Sequence, residues 1–115
     1  MLVAFRNNDS NTREMWLAGA PGGGAFSKWT AVSSTEGFLD MCPMQGPRLA
    51  QKGLTDRLAV WSARGAQDTG VVQLSTSANS GDSWSGGAPL GGFVGDEPTI
   101  AIGPSGRIFV TAVTG

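Results

Sequence analysis

The sequence predicts an all-β chain of short antiparallel strands in tandem, and three observations predict it. Eighteen glycines and six prolines are spread along 115 residues with no period of three, which sets tight turns between short segments. Apolar runs of four to seven residues recur between those turns, and none keeps helical periodicity for three turns. A unit of strand, glycine-containing turn and strand recurs along the chain, and such self-similarity marks repeat architectures.

Nine segments read as strands. In order they are "LVAF" (2–5), "EMWLA" (14–18), "KWTAV" (28–32), "PRLA" (47–50), "RLAVWSA" (57–63), "GVVQLST" (70–76), "APLG" (88–91), "PTIAI" (98–102) and "RIFVTAV" (107–113). The helical rival is "NTREMWLA" (11–18), where Asn11 or Thr12 caps and Glu14 sits in the first turn. "GAPGGG" stops that segment after two turns, so strand is the expectation.

Self-comparison gives the period. "RLAVWSARG" (57–65) aligns without a gap on "RIFVTAVTG" (107–115) at an offset of 50. Upstream, Pro47, Leu49 and Ala50 match Pro98, Ile100 and Ala101, and "LVAFR" (2–6) reads as a third copy of the second strand, with Phe5 opposite Trp61. A unit of about four short strands fits a β-propeller blade, whose faces are buried by its neighbours. Burial on both faces explains why "LAVW" and "RIFV" are apolar at successive positions where a half-exposed strand would alternate. Residues 1–45 then form an incomplete blade, 46–95 a complete one, and 96–115 the first two strands of another.

Composition limits the function classes. Eight Lys and Arg against nine Asp and Glu leave a net charge of -1, so no basic field attracts nucleic acid or an anionic membrane. No apolar run of eighteen residues exists to span a bilayer. "MLVAFRNNDS" has neither a basic lead nor a small-residue cleavage site, so no signal peptide is expected. Cys42 is the single cysteine, which excludes an intrachain disulfide, and nothing here assigns a compartment.

"SANSGDSW" (77–84) lies between the third and fourth strands of the complete blade. It resembles the Asp box of the sialidase-type (BNR) repeats, Ser-x-Asp-x-Gly-x-x-Trp: Ser77, Gly81 and Trp84 match, and Asn79 replaces the aspartate. An Asx side chain accepts hydrogen bonds from its own turn, glycine takes φ > 0, and the indole covers the hairpin. "GAPGGGAF" (19–26) is a weaker echo, keeping Gly23 and Phe26. "REMWLA", "CPMQGPRLA" and "LAVWSARG" also look like the strand and inter-blade segments of bacterial sialidase-like propellers. The resemblance implies a six-bladed ring with the boxes opposite the substrate face, so Ser77, Asn79, Gly81 and Trp84 are structural by that likeness.

The same resemblance implies three arginines, a tyrosine nucleophile with a glutamate, and an acid/base aspartate. The chain has no tyrosine and no histidine. A complete sialidase site and a histidine-based metal site are therefore not expected, and no cofactor is implied. The candidate ligand face is formed by loops carrying Arg6, Asn7, Asn8 and Asp9; Arg64, Gln67 and Asp68; Met41, Cys42 and Met44; and Asp96 with Glu97. Arg6 and Arg64 suit an anion, and Asp96 with Glu97 suits acid/base work or a cation; the plainer account is solvated loop charge. Cys42 reads as a small hydrophobe, and Trp16, Trp29 and Trp61 as packing between sheets. No catalytic residue is assigned.

About two blades leave exposed faces and edges, which a closed homo-oligomer would cover. Three copies give six blades, although nine strands per chain is one more than a ring of six four-stranded blades needs. The expectation is a non-catalytic module that assembles with itself, a homotrimer being favoured, and binds carbohydrate or a small anion. The alternatives are a glycosidase site built between subunits from Arg6, Arg64, Asp96 and Glu97, or a purely structural scaffold or truncated repeat. For the assembly, a dimer closing a four- or five-bladed ring comes next after the trimer, and a fragment of a longer gene third.

Overall fold

A computed structural model describes residues 1–9, 12–20, 24–26, 28–33, 37–38, 46–64 and 70–114. The strands are β1 (Leu2–Asp9), β2 (Thr12–Gly19), β3 (Lys28–Ala31), β4 (Gly37–Phe38), β5 (Arg48–Lys52), β6 (Asp56–Arg64), β7 (Gly70–Ser77), β8 (Ala88–Val94), β9 (Asp96–Ile102) and β10 (Ile108–Val113). Each of the nine segments read from the sequence overlaps one of these strands. Residues 12–18 are strand, not helix, and the two-residue β4 was not anticipated because two residues carry no periodicity.

The strands form three antiparallel sheets. β1, β2 and β3 pair in order, with β4 on the far end of β2; β5 to β8 form a four-stranded meander; β9 and β10 form a hairpin. Where consecutive strands share a ladder they run antiparallel, as short connections allow.

The second sheet is packed on both faces, and β6 shows why its side chains are apolar in succession. Ala59 and Trp61 join Met15, Leu17 and Val32 of the first sheet's side in one buried cluster, with Leu2, Leu49 and Trp84 against it. Leu58 and Val60, pointing the other way, join Ile100 of the third sheet, with Ala50, Leu74, Ile102 and Val110 around them. Alternation still holds along the strand, but each face meets a different sheet. Burying such a side chain stabilises by roughly 1.5–3 kcal/mol, so β6 is the member that binds the two clusters into one body.

Register corrects one detail of the repeat. Ala59 stands opposite Leu49, and Val110 stands opposite Ile100. Given the match of Leu49 with Ile100, Val110 is the counterpart of Ala59, at an offset of 51 where the ungapped alignment gives 50. A slip of one residue exchanges the faces of a strand. Phe109 accordingly takes Leu58's place on the outer face, where it is 56% exposed, and Val110 faces inward.

Candidate functional site

The turn between β7 and β8 is held by its own side chains. Ser77 Oγ accepts from the amide of Gly81 at 2.9 Å and donates to Asn79 Oδ1 at 2.9 Å. That amide oxygen also accepts from the backbone N–H of Ser83 at 2.9 Å, while Asn79 Nδ2 donates to Ser83 Oγ at 2.8 Å. Gly81 has φ +92°, the left-handed region that favours glycine, and its carbonyl accepts from Trp84 Nε1 at 3.2 Å. The indole is half-buried against the Met15, Leu17 and Trp61 cluster. The turn also bonds beyond itself, since the Ser80 amide donates to Thr55 O, next to β6, at 2.8 Å. In the weaker echo, Phe26 is exposed and Gly23 lies outside the described residues.

At the opposite end of β7, about 23 Å away by strand rise, Gly70 stands opposite Arg64. Ser62 Oγ is buried there and donates toward Gly95 O at 2.7 Å and Asp96 Oδ1 at 3.2 Å. A Cβ on Gly70 would meet Asp96 Oδ1 at 2.6 Å, Gly95 O at 2.8 Å and Ser62 Oγ at 2.9 Å. Only a glycine leaves room for the carboxylate at that position. Asp96 is half-buried, while the adjacent Glu97 is exposed and has φ +49°, a conformation that non-glycine residues adopt at a cost.

The loop expected to carry Arg6 and Asn7 is strand instead, since both residues lie within β1. Arg6 is opposite Met15 and shares a strand face with Leu2, which packs toward the second sheet. Its three guanidinium nitrogens are buried and the residue is engaged within the protein, so it is enclosed between sheets and not offered to a ligand in solvent. Asn7 is exposed, opposite Glu14, whose Oε2 accepts from Trp16 Nε1 at 2.8 Å. Met41, Cys42, Met44, Gln67 and Asp68 lie outside the described residues.

The structure therefore brings Arg64, at the end of β6, to the same sheet end as Asp96 and Glu97, while the guanidinium of Arg6 is buried. Sequence reasoning missed Ser62 and Gly70, which fix Asp96. Ser62 is the single hydroxyl inside the apolar run "LAVWSA", and a hydroxyl in a strand buried on both faces needs a partner. It missed too a cavity of about 290 Å³ at the turn end, between the first two sheets, floored by Leu2 and Leu17 and rimmed by Arg57, Ser80 and Asp82. Compared with protein-family models, with curated proteins and with solved structures, the chain matches none.

Proposed function

We propose that the chain is a non-catalytic, sialidase-like β-propeller module that assembles with copies of itself into a closed ring and binds a small anionic or carbohydrate ligand at its axial face. The observation that carries the reading is the second sheet: a four-stranded meander covered on both faces by neighbouring sheets, with the Ser77–Trp84 turn joining its last two strands. A propeller blade requires both features, a meander and two covered faces. The axial face in this reading is the end carrying Arg64, Asp96 and Glu97, opposite the box-like turn.

The reading is non-catalytic because the tyrosine nucleophile of the sialidase-type site has no counterpart in the chain and Arg6, one of the chain's two candidate anion-binding arginines, is enclosed. Light scattering tests the assembly: the expected mass is three times 11.8 kDa, and a well-folded monomer at all concentrations would sink it. Glycan binding weakened by Arg64→Ala or Glu97→Ala, or small-anion binding weakened by Arg64→Ala and not by Glu97→Ala, in either case without turnover of a fluorogenic sialoside, tests the ligand. Turnover abolished by Glu97→Gln at unchanged stability would favour a glycosidase site between subunits instead. Assembly with neither binding nor turnover would leave a scaffold.

A further inference from the structure

We infer that β10 is a stand-in: in the assembled protein, β1 of a second copy takes the place beside β9 that β10 holds in the isolated chain. The inference rests on the self-assembly proposed above and names the strands that make the contact. β1, β6 and β10 occupy the same place in the repeat, the second strand of the unit. β6 shows that place filled, with β5 on one edge and β7 on the other. Among the described residues, β1 has no β5 counterpart on its outer edge, and β10 has no β7 counterpart on its own. The two strands thus compete for one position between β9 and β2.

Three features favour β1 in that position. The β1–β2 ladder runs unbroken from Leu2 opposite Gly19 to Asp9 opposite Thr12, whereas the β9–β10 ladder is interrupted between Thr111 and Val113. β10 is the less covered strand, with Ile108 42%, Phe109 56% and Val113 59% exposed. Beside β10 an apolar cavity of about 390 Å³, lined by Leu74, Leu90, Phe93, Ile108 and Val110, lies over β7 and β8, where a third strand would sit. Carrying the β5–β6 register over to β9 and β1 sets Ile100 against Val3 of the second copy and Thr99 against its Ala4. Val3, Phe5 and Trp16 then face the second sheet together, covering Leu58, Val60 and the Leu74–Leu90–Phe93 groove. All of these facing side chains are apolar.

The occupant is a second copy because the chain carries its own matching surface, and the size is sufficient. The molecule measures 42 × 37 × 21 Å, so even its smallest side is comparable with the ~800 Å² per partner of a standard stable interface. Strand exchange between identical chains is a low-cost route to closed assemblies. It also accounts for the strand number. Without β10 and the two-residue β4 the described residues contribute eight strands per chain, and three copies supply the twenty-four of six four-stranded sheets.

A reversible lock tests the exchange. Thr99 and Thr111 are directly opposite and exposed, a spacing that suits a disulfide, so Thr99→Cys/Thr111→Cys in a Cys42→Ser background ties β10 to β9. The oxidised protein is expected at 11.8 kDa and the reduced protein at three times that mass. An assembly of unchanged mass with the lock fully formed would overturn the exchange while leaving the ring intact. A reduced, folded protein that never exceeds monomer mass would instead overturn the ring, and the exchange with it. If the locked variant does not fold, mixing Ala4→Cys with Thr99→Cys chains, both in the Cys42→Ser background, keeps the inference testable. A disulfide joining the two chains supports it, and folded, assembled chains that form none overturn it.

Discussion

Gly70 and Asn79 do opposite kinds of work, one by having no side chain and one by having the right acceptor. At Gly70→Ala the new Cβ would press on Asp96 Oδ1, Gly95 O and Ser62 Oγ, two of them tied to backbone, so relief requires the strands to part. The expected loss is about 1–3 kcal/mol, measurable by urea unfolding, with an unchanged transition midpoint counting against the crowding. At Asn79→Ala the Ser83 amide and the Ser77 hydroxyl both lose an acceptor. Because water can replace it at this exposed site, the cost is expected near ~1 kcal/mol. Trp84→Ala should cost more, about 3 kcal/mol, since the ring packs on the inter-sheet cluster and its N–H closes the turn on Gly81. Ligand affinity at the far end of β7 should not change with it; loss of binding at intact stability would mean the turn itself is the site. The order of the two turn variants follows from burial, which is why the asparagine that replaces the motif's aspartate is the milder position.

On the scale of strands, the two clusters on either side of β6 divide the molecule into separable parts. Ile100 anchors the β9–β10 hairpin to Leu58 and Val60, and it takes no part in the first-sheet cluster. Ile100→Ala is expected to cost about 2–5 kcal/mol locally and to speed amide exchange in residues 96–113 while β1 and β2 keep their protection. Equal acceleration in all three sheets would show a single cooperative unit. The strands themselves were legible in the sequence because turn residues bracket apolar runs, and the double-faced burial of β6 was legible because Leu58, Ala59, Val60 and Trp61 leave no polar face. The face of β10 was not legible. "RLAVWSARG" and "RIFVTAVTG" match best by letters at 50, but ten residues separate Leu49 from Ala59 and ten separate Ile100 from Val110. The two turns are therefore of equal length, and the offset that relates the first strands, 51, relates the second strands as well. Arg6 was misplaced for a different reason. "RNND" has the composition of a turn, yet pairing with Met15, Glu14, Arg13 and Thr12 extends β1 through all four residues. Composition reports what a residue prefers, and pairing across a ladder can override it.

For the whole molecule the decisive quantity is surface left uncovered. Three stacked sheets have two outer faces and several open edges, and open edges of this kind are templates for pairing with another chain. On the third-sheet side, Leu90 and Phe93 of β8 are half-buried in a groove whose far wall is Ile108 and Val110. Neither Leu90 nor Phe93 belongs to the two buried clusters, so a charge there disturbs the fold little, while it strongly opposes a second copy laying Trp16 across the same groove. Leu90→Glu is therefore expected to keep the circular dichroism of the parent and, compared at concentrations where both are monomeric, its unfolding free energy within about 0.5 kcal/mol, as surface substitutions usually do. Its sedimentation mass should fall to 11.8 kDa at concentrations where the parent is three times heavier. Ser105→Lys serves as the control: the residue is exposed in the turn between β9 and β10, where no docking is proposed and no mass change is expected. If Leu90→Glu assembles as the parent does, the groove is not the joint and the copies meet elsewhere; if it unfolds, Leu90 belongs to the monomer's core and the uncovered surface is smaller than its half-buried state implies.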